Sequence, residues 1–151
     1  MIVKQLNKET EIYLMQLPEF YVSVLHGFTR DYNYFRDIFN SKNKGVFLGL
    51  EKENLEATLE YSCHNDGDLK IGDILWVLAR IKGEGRGSKL LEYSLNFFRK
   101  ENLDIAALTV SKSNLKAIRL YEKFGFKYFL NRENNSVIYA QALSEKGKEV
   151  I

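Results

Sequence analysis

The alternation of hydrophobic and polar residues divides the chain into short strands and helices. Period-two alternation or a short apolar run, both typical of strands, occurs at residues 2–6, 46–50, 55–62, 69–78, 105–110, 128–132 and 137–143. Helical patterns follow residue 7, residue 18 and residue 87, and another covers about residues 114–124. This order predicts an α/β (α+β) fold in which a mixed central sheet of about six or seven strands carries helices on both faces.

Capping and turn residues support these boundaries. Asn7 is a suitable N-cap, Pro18 suits the start of the next helical region, and Gly125 suits the left-handed position after a helix. The aromatic residues of that helical region, Phe28 among them, are expected to pack in the core, with the wall of a pocket as the alternative. Residues 1–143 are predicted to form a single domain, followed by a charged and frayed tail over residues 144–151.

Length and composition are those of a globular domain. The chain has 151 residues, 45% of them hydrophobic, which is enough to bury a core without disulfides. The net charge of +2 argues against nucleic acid as a partner. Residues 1–78 hold 8 basic and 12 acidic side chains, whereas residues 79–123 hold 10 basic and 5 acidic ones. This division predicts anion binding in the second stretch; the alternative is a chance imbalance on solvated helix faces.

The cysteine and the histidines exclude several kinds of site. Cys63 has no disulfide partner, and His26 and His64 stand alone, so no metal site is predicted and each histidine is expected to be a surface or hydrogen-bonded residue. Residues 1–6 are too short and polar for a signal sequence, and no apolar run approaches the length of a membrane span. The resulting prediction is a cytoplasmic protein that does not contact a membrane.

The most informative segment is a glycine-rich turn between a predicted strand and a predicted helix. From residue 75 it reads LWVLARIKGEGRGSKLL. The alternating glycines let backbone amides approach an anion, and the helix N-terminus adds partial positive charge. A pyrophosphate group is the ligand that suits such a turn. The alternative is a tight turn whose glycines only permit close packing.

Two common phosphate-binding patterns do not fit this turn. A P-loop needs Gly-Lys-Ser/Thr, but Gly87 is followed by Ser88 and Lys89. The dinucleotide fingerprint needs a third glycine or alanine at a position where this chain has Ser88 or Leu90. Binding of ATP at the turn is therefore a less favoured alternative.

A second segment indicates the family that the chain resembles. From residue 108 it reads LTVSKSNLKAIRLYEKFGF. Residues 82–87 resemble the acetyl-coenzyme A (acetyl-CoA) loop of the GCN5-related N-acetyltransferases (GNAT). The Asn-x-x-Ala-x-x-x-Tyr-x-x-x-Gly-Phe element of that family is matched by Asn114, Ala117, Tyr121, Gly125 and Phe126. The resemblance is specific over about residues 70–128. Lys82 replaces the family's usual arginine or glutamine, and Ala79 stands where proline is common.

The resemblance implies that acetyl-CoA is the co-substrate and that its pyrophosphate binds the amides of the turn. The strand near residue 77 would pair with the pantetheine arm, and Asn114 would bond to that arm while also capping its helix. The cofactor-binding residues implied in this way are Trp76, Val77, Lys82, Gly83, Gly85, Arg86, Gly87, Ser88, Lys89, Asn114, Ala117 and Tyr121. A homodimer is compatible with the resemblance, because dimers are common in this family.

Tyr121 is the general acid that the resemblance implies. A phenol with a pKa of about 10 is a neutral donor at pH 7 that can protonate a departing thiolate; ordinary helix packing is the alternative. The acceptor amine must lose a proton, and the family has no fixed residue for this. Asp73 is the first candidate and Glu60 the second, each against the alternative of a solvated surface charge. Cys63 is a less favoured nucleophile, because this family typically transfers the acyl group directly.

These features predict an N-acetyltransferase that moves the acetyl group of acetyl-CoA directly to a primary amine of a small molecule or protein. Amide donors near Trp76 and Val77 would stabilise the developing oxyanion. The division of charge favours a cationic acceptor. The alternative is a CoA-binding sensor or scaffold module without catalysis, which would keep the glycine turn but need neither Tyr121 nor a base.

Overall fold

A computed structural model describes residues 1–26 and 30–151. Phe28, which was expected in the core, lies outside the described residues. The strands are β1 (Ile2–Gln5), β2 (Lys44–Glu51), β3 (Asn54–Asp66), β4 (Leu69–Ala79), β5 (Ile105–Ser111), β6 (Lys127–Asn131) and β7 (Ser136–Ala142). The helices are a 3₁₀ helix (Lys8–Met15), α1 (Leu17–Leu25), α2 (Tyr32–Phe39), α3 (Arg86–Lys100), α4 (Leu115–Lys123) and α5 (Glu145–Lys148).

The seven strands form a mixed sheet, which confirms the predicted fold class. Their order is β1-β2-β3-β4-β5-β7-β6. The β4 and β5 strands run parallel, whereas β1 with β2, β5 with β7 and β6 with β7 run antiparallel. The parallel register of β4 and β5 extends from Ile71 and Ile105 to Ile74 and Leu108, although β5 continues to Ser111.

The described residues divide into two compact units. The first comprises Met1–Tyr61 and Trp76–Ser94, and the second comprises Ser62–Leu75 and Leu95–Ile151. Each strand lies close to its predicted position, whereas the helical region predicted after Pro18 comprises two helices, α1 and α2, and α5 was not predicted. In residues 1–26 and 30–151, no helix is both long enough and apolar enough to cross a membrane.

The first unit has helices on both faces of its part of the sheet. Alternate residues of β2, such as Val46 and Leu48, join a buried cluster with α1 and α2. The intervening residue Phe47 points the other way, stacking on Tyr61 at 4.8 Å and meeting Tyr93 of α3 edge-on at 5.0 Å between ring centroids. Alternation along β2 therefore directs neighbouring side chains such as Val46 and Phe47 to helices on opposite faces.

The predicted helix starts and stops in both units are confirmed. Asn7 caps the 3₁₀ helix by accepting from the Glu9 and Thr10 amides, and Pro18 lies in the first turn of α1. Gly125 follows α4 with a φ of +96°, the left-handed conformation that glycine adopts at low cost.

The C-terminal residues form an ordered turn, so the prediction of a frayed tail is wrong. The Ser144 hydroxyl donates to the Asp104 carboxylate at 2.6 Å and accepts from the Gly147 amide at 3.1 Å. Gly147 is buried so closely that an added Cβ would lie 2.1 Å from the Asp104 carbonyl oxygen. The prediction relied on the charged composition of this segment and did not take account of the Ser144 cap and the close Gly147 contact, which hold the segment against Asp104.

Candidate active site

The glycine-rich turn presents a row of unpaired backbone donors at the start of α3. Among the described residues, the N–H groups of residues 82–88 have no hydrogen-bond acceptor, and the first paired donor is Lys89, whose N–H reaches the Gly85 carbonyl at 3.1 Å. Gly83 and Gly85 adopt φ values of +85° and +76°. These conformations, with the α3 N-terminus, make a concave set of donors of the kind that binds phosphate groups.

The space around the turn is open. A Cβ added at Gly83 or Gly85 would have no heavy atom within 4 Å, whereas one added at Gly87 would lie 3.5 Å from Val77 Cγ1. The backbone conformation therefore requires glycine at residues 83 and 85, and close packing does not. The absence of side chains there also leaves room for a ligand. Gly87 lies against the end of β4.

The three basic residues of the turn differ in their surroundings. Arg86 is mostly buried and its guanidinium lies 3.6 Å from Glu51 and 3.3 Å from Glu84. Lys82 and Lys89 are exposed and take part in no ion pair within the described part of the chain. Of the charges predicted to face a phosphate, the two lysines are thus the ones free to do so. Ser88, in the first turn of α3, is half-buried.

Two predicted site residues at the end of β4 have side chains that contact different parts of the first unit. Trp76 packs against the apolar cluster formed with α1 and α2, whereas Val77 faces Gly87 of α3. Their backbone groups, which the resemblance assigns to the pantetheine arm and the oxyanion, lie in the β4 segment that leads into the glycine turn.

Asn114 is the N-cap of α4, as predicted. Its side-chain oxygen accepts from the Ala117 amide at 3.2 Å. Its Nδ2 group donates no hydrogen bond to any described residue, so one side chain can cap the helix and still donate to a ligand.

Tyr121 is half-buried on α4. Its ring meets Phe126 edge-on at 6.1 Å. Burial raises the pKa of its phenol above the usual value, and its hydroxyl has no hydrogen-bond partner within residues 1–26 and 30–151. The phenol is therefore neutral at pH 7 and free to donate a proton.

Asp73 lines a cleft in the second unit, at the place where the register of β4 with β5 ends. The cleft has a volume of about 210 Å³, and its polar wall residues are Asp73, Thr109 and Arg132. His64 Nδ1 lies 3.0 Å from Asp73 Oδ2, and the other oxygen, Oδ1, has no hydrogen-bond partner among the described residues. Desolvation raises the pKa of Asp73, with His64 and Arg132 acting in the opposite direction.

Glu60 lies in a different place, enclosed in the first unit. Its side chain is 2% exposed. One oxygen accepts from the Tyr21 hydroxyl at 2.9 Å and the other accepts from the Tyr34 hydroxyl. Burial and the Glu60 carboxylate raise the pKa of Tyr34 to about 12. Both oxygens of this carboxylate are thus occupied by phenols.

Cys63 is a poor nucleophile in its surroundings. Burial raises the pKa of its thiol to about 11, and the charges of Asp73 and Glu101 act in the same direction. The reactive thiolate is therefore scarce at neutral pH, which agrees with the predicted direct transfer.

Sequence reasoning missed His64 and Arg132 as neighbours of Asp73. Counting outwards from the hairpin turn at residues 67–68 places His64 and Asp73 on the same face, and this signal was available in the sequence. No sequence signal placed Arg132 near Asp73, because Arg132 reaches the cleft from the β6 to β7 hairpin, beyond a register shift between Tyr128 and Leu130.

Comparison with known proteins places the chain in a family. The model of the acetyltransferase (GNAT) family matches residues 10–126. The chain therefore belongs to the GNAT acetyltransferases, and acetyl-CoA is the co-substrate that fits this family.

Individual relatives agree with this assignment. An uncharacterised N-acetyltransferase from Archaeoglobus fulgidus is 41% identical over 54 residues, which is 34% of this chain and 37% of that protein. A mycothiol acetyltransferase from Stackebrandtia nassauensis is 38% identical over 65 residues, 42% of this chain and 21% of that protein. The matches thus span about a third and a fifth of the lengths of these curated relatives.

The fold has many solved counterparts. The crystal structure of an N-acetyltransferase from Staphylococcus aureus Mu50 superposes with a TM-score of 0.78, covering 94% of this chain and 97% of that one at 17% identity. At this level of identity the likeness concerns the fold alone.

Proposed function

We propose that the protein is an acetyl-CoA-dependent N-acetyltransferase that acts on a primary amine. The observation that carries this proposal is the row of unpaired N–H groups over residues 82–88 at the N-terminus of α3, in a chain that belongs to the GNAT family. Such donors are well suited to a pyrophosphate, because they supply hydrogen bonds and partial positive charge together. Lys82 and Lys89 add charge for the remaining phosphate oxygens.

The reaction requires a proton to leave the amine and another to reach the thiolate. For a lysine-like amine with a pKa of about 10.4, forming the neutral species at pH 7 costs about 4–5 kcal/mol. Asp73 Oδ1 accepts the proton from the ammonium, the amine nitrogen then bonds to the thioester carbonyl carbon, and the carbon–sulfur bond breaks. Tyr121 gives its phenolic proton to the departing sulfur. The nitrogen releases its second proton to solvent, solvent returns a proton to the Tyr121 phenolate, and the products are an N-acetyl amide and the free thiol of CoA.

Asp73 is preferred to Glu60 as the base because of what surrounds each carboxylate. Asp73 lines a cleft and has one oxygen unpaired, whereas both oxygens of Glu60 are bound to phenols in a buried cluster. A raised pKa also suits a base that works near neutral pH. Glu60 then acts by holding Tyr21 and Tyr34.

The experiment measures CoA thiol release from acetyl-CoA across a panel of primary amines, together with thermal stabilisation by acetyl-CoA and by ATP. We expect acetyl-CoA to stabilise the protein, ATP to have little effect, and at least one amine to accelerate thiol release. Stabilisation by acetyl-CoA without turnover of any amine would favour the sensor or scaffold alternative. The cytoplasmic location and the homodimer predicted from sequence stay predictions.

A further inference from the structure

The cleft that contains Asp73 carries charges of both signs. Asp73 lies on β4, and Arg132 follows β6, with Nη1 of its guanidinium 3.5 Å from the Thr109 hydroxyl. The rest of the lining is apolar, including Leu75 and Ile138. The guanidinium would repel a purely cationic acceptor and would make no favourable contact with it.

Arg132 is available to a ligand. Within residues 1–26 and 30–151, no carboxylate lies within 4.0 Å of its guanidinium, whereas Asp73 already has His64 at 3.0 Å. The Arg132 backbone is fixed by a hydrogen bond from its N–H to the Ser136 carbonyl at 2.8 Å, so the guanidinium extends from an ordered hairpin. A guanidinium in this position suits a carboxylate, which it can bind through two parallel hydrogen bonds.

The sheet register brings the two charged residues to the same cleft. Asp73 is directly opposite Ala107 on β5, and Thr109, which contacts Arg132, lies two residues further along. Strands about 4.8 Å apart with a rise of about 3.3 Å per residue place the Cα atoms of Asp73 and Thr109 about 8 Å apart. The Asp73 side chain and the Arg132 guanidinium, which lies against Thr109, line the same small cleft, so one small ligand can contact both.

We propose that the acceptor is a small zwitterion of the α-amino acid class, with its ammonium at Asp73 and its carboxylate at Arg132. This inference rests on the proposed function, and it changes the predicted acceptor from a cation to a molecule that also carries an anionic group. The cleft volume of about 210 Å³ lies below the roughly 300–1,000 Å³ usual for drug-sized ligands, which agrees with a small acceptor. Polyamines and peptide N-termini lack the adjacent carboxylate.

The first test compares acceptors that differ only in the carboxylate. The probes are the twenty proteinogenic L-amino acids, their methyl esters and their decarboxylated amines, with N-terminally free peptide amides as a further arm. We expect at least one amino acid to have a kcat/KM roughly 10- to 100-fold above that of its own ester and decarboxylated amine, because a charge-assisted hydrogen bond is lost in both analogues. Preference for the esters, the decarboxylated amines or the peptide amides would overturn the inference.

The second test uses Arg132→Gln with Arg132→Lys and, as a matched control, Arg36→Gln on the exposed face of α2. Arg132→Gln is expected to raise the KM of the preferred amino acid about 10- to 100-fold while leaving that of its methyl ester unchanged. Arg132→Lys should restore part of the loss, and the control should behave like the wild type. An equal effect of Arg132→Gln on acid and ester would overturn the inference.

A binding measurement separates this inference from the proposed function. Each amino acid is titrated by calorimetry into the protein saturated with CoA, and the same is done with Arg132→Gln. Binding that depends on Arg132 supports the zwitterion site even if no amine is acetylated, in which case only the proposed catalysis fails. Turnover of other amines with no binding of any amino acid overturns the inference and leaves the proposed function standing.

Discussion

His64 and Asp73 form a contact pair on neighbouring strands, with Nδ1 of the imidazole 3.0 Å from Oδ2 of the carboxylate. A neutral imidazole in this position donates its Nδ1–H to the carboxylate. One oxygen of Asp73 is thereby occupied, and the other is left for the acceptor amine. A histidine that stands alone in the sequence thus orients the side chain that we propose as the base.

Asp73→Asn should abolish most of the activity. The amide cannot take the proton from the amine, and we expect kcat/KM to fall at least about 100-fold, within the usual contribution of a general base. In the wild type, activity should decline as the pH falls through the raised pKa of Asp73, above the ordinary aspartate range; the variant should lack this limb. The measurement is the pH profile of thiol release.

The control for this variant is Asp68→Asn, at an exposed aspartate of the same hairpin that pairs with Lys146 at 3.6 Å. It should retain wild-type activity. If Asp73→Asn and the control are equally active, Asp73 is not the base.

Tyr121→Phe should reduce kcat roughly 100-fold and change the KM for acetyl-CoA little, because it removes only the proton donor. Tyr128→Phe is a matched control, since Tyr128 is an exposed tyrosine that also meets another ring edge-on, Tyr139 at 6.4 Å. Steady-state thiol release measures both. Normal turnover by Tyr121→Phe would remove the general-acid role.

Gly83→Ala should weaken acetyl-CoA binding at least tenfold, because a methyl group would stand in the open space where amides meet the pyrophosphate. The variant also costs about 1–2 kcal/mol of backbone strain at a φ of +85°. Gly67→Ala has a similar strain at φ +63° in a hairpin turn and also meets no atom within 4 Å. Calorimetric titration with acetyl-CoA should separate the two, and equal affinities would contradict the assignment of the turn.

Glu60→Gln should lower the free energy of unfolding by about 1–3 kcal/mol, because one buried phenol loses its acceptor. Glu56→Gln on the same strand breaks a partly exposed ion pair with Arg80 at 3.5 Å and should cost less than about 1 kcal/mol. Chemical denaturation gives both values. A loss of turnover in Glu60→Gln with unchanged stability would contradict the structural role of Glu60 and support it as a general base.

The buried cluster of Glu60, Tyr21 and Tyr34 should make the stability of the protein fall at alkaline pH. The pKa of Tyr34 is raised from 10.0 to about 12 in the folded state, so the folded chain retains a proton that the unfolded chain has lost between these values. The contribution of Tyr34 to the free energy of unfolding is therefore fully present below pH 10 and declines as the pH rises towards 12. Tyr34→Phe should flatten this decline in denaturation curves measured across that range; an unchanged slope would show that Tyr34 does not contribute to it.

Much of this molecule could be predicted from sequence because local signals coincide with its elements. The Asn7 cap, Gly125 and the turn at Asn134 and Asn135, both with a φ of 57°, lie where the pattern places them. What could not be predicted depends on contacts between distant segments. The enclosure of Glu60 needs α1 and α2 to bring Tyr21 and Tyr34 to β3, and the cleft needs a bulged hairpin to bring Arg132 to Asp73.

We propose that these residues transfer an acetyl group directly to an amine. Acetyl-CoA labelled with ¹³C in its acetyl group, incubated with the protein and the amine panel, tests this by NMR of the products and mass spectrometry of the intact protein. We expect the label to appear in an amide on the nitrogen of an acceptor, with no label on the protein. Bound acetyl-CoA that yields no labelled amide with any amine, or label retained on Cys63, would contradict it.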